Sequence, residues 1–156
     1  MFEILAFWNF FEDGRLKEVV CTVLNKYNNK IERTIIFNSK NGKLYEYDSF
    51  KEKFVPQEKV KSVSENLMGL VGVEGTYTTE SIFIGDDLKF QEIESGSGSL
   101  FGVPVQGEST LMIKIINAKN ESSTYKANYS LTGSNGFGNL NSQANLNCKL
   151  IDTYSL

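Results

Sequence analysis

The chain has 156 residues, 40% of them hydrophobic, and a formal net charge of −3. That is enough for one domain with a real core and argues against two. Histidine is absent, which removes the usual general base, proton shuttle and commonest metal ligand, and the mildly acidic balance disfavours nucleic acid.

The N-terminal segment Phe2 to Phe11 is dense in aromatics, with Phe2, Phe7, Trp8, Phe10 and Phe11. It reads as a first strand. Phe7 and Trp8 would then point to opposite faces, so one of them needs a cover or a contact surface. Met1 to Leu5 lacks the basic region and small-residue cleavage site of a secretory signal. Localisation stays open: secreted or periplasmic if the start is processed, otherwise cytoplasmic.

Asp13-Gly14 separates this run from Leu16 to Leu24, and Asn25 to Lys30 separates that from Ile31 to Phe37. Asn41-Gly42 then leads into Leu44, Tyr45 and Tyr47. Asp-Gly and Asn-Gly tolerate the positive φ of tight hairpin turns. The first 48 or so residues are therefore expected to form a four-stranded antiparallel meander.

Pro56 opens a different pattern. Val60, Val63, Leu67 and Leu70 recur at helical spacing, with Gly69 and Gly72 as stops. A short helix near 56–68 is expected, with an irregular strand as the competing reading. Strand signals resume from Tyr77 to Ile84, turn at Gly85-Asp86-Asp87 and return from Leu88 to Ile93. The Ser-Gly run at 95–99 reads as a flexible loop. Leu100 to Val105 contains Pro104, so as a strand it would be an edge or a bulge. Leu111 to Ile116 is the most apolar run and is expected to be central. Ser123 to Leu131 alternates, a Gly-rich loop follows at 133–138, and Asn139 to Ile151 ends the pattern with Leu140, Ala144, Leu146, Cys148 and Leu150 mostly on one face.

Nine or ten short strands with one short helix predict an all-β, mainly antiparallel fold in a single domain spanning 1–156. A meander closing into a barrel or a strongly curved sheet is favoured over a β-sandwich. A calycin-type barrel is an analogy of architecture that fixes no function. The C-terminal residues from 95 onward carry four basic and three acidic side chains against ten and nine in the first 60. That is a change of surface character, not a boundary, because strand patterns run through it.

Cys21 and Cys148 lie in similar strand-like surroundings and belong to no C-x-x-C motif. They read as buried thiols or as a disulfide joining the two ends of the chain; without histidine, a nucleophilic role needs another source of activation. If the meander closes, they lie on neighbouring strands. Glu92 and Glu94 share a strand face, and a carboxylate pair across a cleft is the geometry of glycoside hydrolysis. The solvated face of an amphipathic strand is the favoured reading of both. Gly85-Asp86-Asp87 lacks the pattern of a calcium loop, and the glycine runs lack the phosphate-loop motif. Asn120-Glu121-Ser122 and Asn128-Tyr129-Ser130 match the N-glycosylation pattern.

The ligand-contact candidates are Tyr45 and Tyr47, which share a face, and Phe101 and Phe137 in the glycine-rich loops. No catalytic residue, metal or cofactor is expected. The leading functional expectation is a non-catalytic barrel holding a small apolar or amphipathic ligand. The alternative is a secreted or surface recognition domain with Ser/Asn/Gly-rich contact loops and a protein partner. A carboxylate-based enzyme comes third.

Overall fold

The computed structural model describes residues 15–24, 30–65, 70–100, 103–135 and 138–156. Among the described residues there are ten strands: β1 (Arg15–Leu24), β2 (Lys30–Asn38), β3 (Tyr45–Asp48), β4 (Lys53–Pro56), β5 (Val60–Glu65), β6 (Leu70–Ile84), β7 (Asp87–Leu100), β8 (Val103–Ile115), β9 (Thr124–Asn135) and β10 (Gly138–Ser155). Eight of them form one antiparallel sheet in the order β2-β1-β10-β9-β8-β7-β6-β5, and β3-β4 form a second, small sheet. The large sheet is strongly curled into a half-barrel. Among the described residues β2 and β5 remain its two edges.

Six successive strands, β5 to β10, run as a meander. Its last strand then pairs with β1, so the two ends of the chain meet in the middle of the sheet. Cys21 and Cys148 are direct partners in that pairing. Their Cα atoms are 4.2 Å apart and their sulfurs are joined. Such close spacing is that of an antiparallel pair that does not exchange backbone hydrogen bonds.

The curl comes from inward packing on one face. Val19, Cys21, Ile35, Phe37, Leu88, Phe90, Ile113, Ile115, Tyr125 and Cys148 are buried in one cluster. Phe37 on β2 meets Phe83 on β6 edge-on, with ring centroids 6.1 Å apart, so an edge strand reaches across the concavity to the far side of the sheet. Gly42 sits beneath this contact at φ +76°, where an added Cβ would lie 3.0 Å from the Phe83 backbone nitrogen. Only glycine fits both the conformation and the space.

One end of the concavity is stapled shut by a lysine. Lys17 is almost wholly buried. Its Nζ donates to the carbonyls of Ala118 (3.2 Å) and Asn120 (3.0 Å) and to the Tyr125 hydroxyl (3.3 Å). The Tyr125 hydroxyl in turn donates to the Asn120 carbonyl at 2.7 Å. The β8–β9 connection is thereby fixed to β1. A buried ammonium is tolerable only with such a full set of acceptors.

Several expectations are corrected. Instead of a helix near 56–68, Pro56 ends β4, a short connection follows, and Val60 to Glu65 form strand β5, which pairs with β6; residues 66–68 fall outside the described set. Valine and serine are mediocre helix formers, and a neighbouring strand edge supplies the backbone partners that an isolated helix would have to find within itself. The N-terminal meander is also split. Its first strand, 2–11, lies outside the described residues, and β3 leaves the large sheet after a single bridge, Phe37 to Leu44. A local turn draws β3 to β4: the Asp48 carboxylate accepts the backbone N–H groups of Phe50 (2.9 Å) and Lys51 (3.1 Å). Short-range closure costs less chain entropy.

The Ser-Gly run at 95–99 is no loop. It is the second half of β7, paired with β6 on one side and β8 on the other. Local propensity yields where both neighbours offer a full ladder. Pro104 lies in the part of β8 that pairs with β7 alone, because pairing with β9 begins at Gly107. Its missing N–H therefore breaks no ladder on the open side.

The joined cysteines predict that alkylation in denaturant without reductant labels neither, whereas prior reduction adds two labels by intact mass. With a sequence separation of 127, a Cys21→Ala/Cys148→Ala variant should unfold at lower urea, the loss bounded by the ~4–5 kcal/mol of the loop-closure model.

Candidate functional site

The strand registers stack the inward residues of β6 to β10 in rows. Phe83, Leu88, Ile115, Ala127 and Leu146 form the first; Ser81, Phe90, Ile113, Tyr129 and Ala144 form the second. Then come Thr79, Glu92, Leu111, Leu131 and Ser142, and after them Tyr77, Glu94, Ser109, Gly133 and Leu140. A row with Gly75, Gly96, Gly107 and Gly138 follows. Along the strands the concave face thus passes from hydrocarbon to polar groups to a glycine-rich row that Asn135 completes. At Gly75 even a methyl group would stand 2.7 Å from the Ser95 carbonyl oxygen, so the strands there approach too closely for a side chain.

The polar rows hold the candidate site. Glu92 on β7 is 7% exposed. Arg33 on β2 crosses the concavity to it, its Nε donating to Glu92 Oε2 at 3.2 Å. Arg33 also donates from Nη1 to the Glu32 carbonyl at 3.2 Å. The Tyr77 phenol is pushed up to about 12, first by burial and then by its hydrogen-bonding interaction with the Glu92 carboxylate; Thr79 and Arg33 act in the opposite sense. Burial also raises the Tyr129 phenol, partly offset by the Arg33 charge. Tyr129 is only 4% exposed.

These residues surround two adjoining spaces. The deeper, about 220 Å³, is lined by Arg33, Glu92, Glu94, Ser109, Leu111, Tyr129, Leu131 and Leu140. The outer, about 430 Å³, shares Glu94, Ser109 and Leu140 and extends past Tyr77 and Glu108 over the glycine row. One wall of the deeper space carries a guanidinium and carboxylates from β2 and β7. Leucines from β8, β9 and β10 continue the lining beside them, Leu111 being the register partner of Glu92.

The sequence candidates fall in different places. Glu92 and Glu94 do share one face, as alternation requires. The solvated reading is corrected for Glu92, which points into the concavity and is buried against Arg33. Tyr45 and Tyr47 lie on the small hairpin, where Tyr47 packs edge-on against Phe54 at 5.2 Å; neither lines the two concave spaces. Phe54 in turn contacts Tyr154 at 4.5 Å, so this hairpin packs on β10 away from the site. Phe101 and Phe137 lie outside the described residues. Arg33, Tyr77 and Tyr129 were missed. Their signal was parity: Arg33 alternates with Ile35 and Phe37, and Glu92 with Leu88 and Phe90.

Asp87, part of the expected turn, accepts the Asn117 backbone N–H at 2.9 Å and pairs with Lys114 at 3.6 Å. It locks adjacent turns together. No helix among the described residues is long and apolar enough to cross a membrane. No family model, no curated protein and no solved structure matches the chain.

Two outcomes are expected. Arg33→Met strands the buried Glu92 carboxylate and should cost about 1–3 kcal/mol in urea unfolding, while Arg33→Met/Glu92→Leu recovers most of that loss. In an alkaline titration followed at 295 nm, Tyr77 and Tyr154 ionise late; the Tyr154 phenol is pushed up to about 12 chiefly by its hydrogen bond to Glu18. Raised phenols favour the folded state while neutral. That stability is whole below the ordinary value near 10 and fades as pH rises from there toward 12. Tyr77→Phe and Tyr154→Phe should each flatten that fall.

Proposed function

We propose that this chain is a non-catalytic binding domain whose half-barrel holds a small amphipathic ligand. One observation carries the reading: the deeper concave space is lined both by a polar pair, Arg33 and Glu92, and by the neighbouring leucines Leu111, Leu131 and Leu140. Burying a ligand's hydrocarbon against the leucines supplies affinity, and a few fixed polar groups set its orientation. The glycine row leaves room at the rim for entry. This is calycin-like in that the mouth of a curled sheet receives the ligand. A purely apolar guest is disfavoured, because it would desolvate the polar wall without replacing its water.

Hydrolysis by the Glu92/Glu94 pair fits less well. Glu92 is already engaged by the Arg33 guanidinium at 3.2 Å, so one of its oxygens is committed to a structural ion pair and not turned toward a substrate. A second reading, protein recognition, is favoured by Phe50, which is 99% exposed at the tip of the β3–β4 turn; exposed aromatics commonly anchor interfaces.

The neutral fluorophore N-phenyl-1-naphthylamine tests the binding reading. Its emission should rise saturably to one molecule per chain. Leu131→Trp, which fills the deeper space, should weaken the affinity about tenfold or more with an unchanged circular dichroism spectrum. Absence of saturable binding, or equal binding by Leu131→Trp, overturns the reading.

A further inference from the structure

We infer that the outer face of β8, β9 and β10 is a second binding surface, separate from the concave site, for a linear acidic polysaccharide built from uronic acid units. Alternation turns Asn139, Asn141, Gln143, Asn145 and Asn147 of β10 outward, because Leu140, Ala144, Leu146 and Cys148 point to the concave side. All five amides are exposed. Asparagine is depleted in strands, and at outward positions no packing demand overrides that preference. A local rule broken repeatedly where the core imposes nothing points to recognition.

Charge supplies the independent observation. The chain carries 16 basic and 19 acidic residues. Yet the outward positions of β7 to β9, and of β10 as far as Lys149, hold Lys89, Lys114, Lys126 and Lys149 against Asp87 and Glu108. Asp87 is taken up by Lys114 at 3.6 Å, and Glu108 lies further along β8, beyond Met112 and Thr110. Lys89, Lys126 and Lys149 have no ion-pair partner among the described residues. An acidic chain thus presents one locally positive sheet face, complementary to an anion. Beyond Lys149 the sign reverses, with Glu18 beside Asp152, and this bounds the surface.

Lysines and amides meet at an open depression of about 600 Å³, lined by Met112, Lys114, Asn128, Ser130, Gln143 and Asn145 among others. The register sets Lys89, Lys114, Asn128 and Asn145 in one outward row and Gln91, Met112, Ser130 and Gln143 in the next. A carboxamide donates and accepts at once, as a sugar hydroxyl does, and an ammonium donates up to three bonds to a carboxylate. The face therefore offers partners for hydroxyls and for carboxylates side by side. The β10 amides run roughly 27 Å at about 3.4 Å per residue. That is longer than one sugar unit, so a chain uses the whole face. A neutral glycan would leave the lysines unanswered, and an apolar partner would have to desolvate the amides.

Polygalacturonate and alginate, each immobilised for biolayer interferometry at pH 7 and low salt, are the probes. The chain should bind at least one of them saturably. Methyl-esterified polygalacturonate, which keeps the sugar and loses the charge, should bind about tenfold more weakly, and so should poly-L-glutamate, which keeps the charge and lacks the sugar. Asn128→Ala/Asn145→Ala should weaken polysaccharide binding about tenfold with an unchanged circular dichroism spectrum. Lys89→Gln/Lys126→Gln should weaken it about fivefold, and 0.5 M salt should weaken it in the unsubstituted chain. Leu131→Trp, which fills the concave space, should bind the polysaccharide as the unsubstituted chain does, so this surface and the concave site stand or fall separately. If neither polysaccharide binds, if polyglutamate binds as tightly, or if the asparagine variant keeps full affinity, the assignment is overturned.

Discussion

The pairing of β1 with β10 is the constraint on which the rest of the structure depends. Without it the chain would be a six-stranded meander and a separate hairpin. β1 brings β2 with it, and β2 brings both Phe37 and Arg33 to the concave side. The first closes the hydrocarbon end of the concavity against Phe83, and the second reaches Glu92. Cys21 and Cys148 sit inside this pairing, and Cys21 is also the register partner of Arg33. One cross-strand row therefore holds the covalent link between the chain ends and the guanidinium of the site. Contacts so distant in sequence are costly to form by chance encounter of the ends, and a bond across the row removes that cost from the folded state's competition with the unfolded chain.

The long ladders follow from the same arrangement. Once β10 is paired on both sides, β9, β8 and β7 each lie between neighbours, and every polar backbone group in the shared stretch finds a partner. This is why a Ser-Gly segment of low strand propensity extends β7. The neighbouring backbones, not the side chains, decide its state.

Alternation and turn dipeptides in the sequence carried much of the fold. The turns at Asn41-Gly42 and Gly85-Asp86, the central place of Leu111 to Ile116 and the meeting of residues near 21 and 148 are all readable from parity and turn chemistry. The helix near 56–68 misled because its apolar spacing of three and four also occurs in a strand with one irregular step, and only the presence of β6 beside it decides. The site was less legible. Glu92 looks like surface until its parity is compared with Leu88 and Phe90, and Arg33 until it is compared with Ile35 and Phe37. Each charge alone is an oddity at a core position. Their partnership depends on a curl that brings β2 opposite β7, and no local pattern encodes that distance.

Arg33 answers two physical demands at once. β2 is an edge strand, and an edge invites pairing with another chain unless something spoils it. A charged side chain turned inward does so, because a slipped or swapped partner would have to bury the guanidinium without Glu92. The same inward charge is what makes the concave wall polar. At the opposite end of the sheet Gly75 leaves backbone bare for a different reason: a side chain there would collide with the neighbouring strand, its Cβ standing 2.7 Å from the Ser95 carbonyl oxygen. Between a hydrocarbon-rich end and a glycine-rich end, two rows carry most of the polar side chains of the concave face. Tyr77, Thr79, Glu92, Glu94, Leu111 and Leu131 occupy those rows. The position of the site along the barrel thus follows from where apolar packing gives way to polar side chains, with the close approach at Gly75 bounding it on the β6 side.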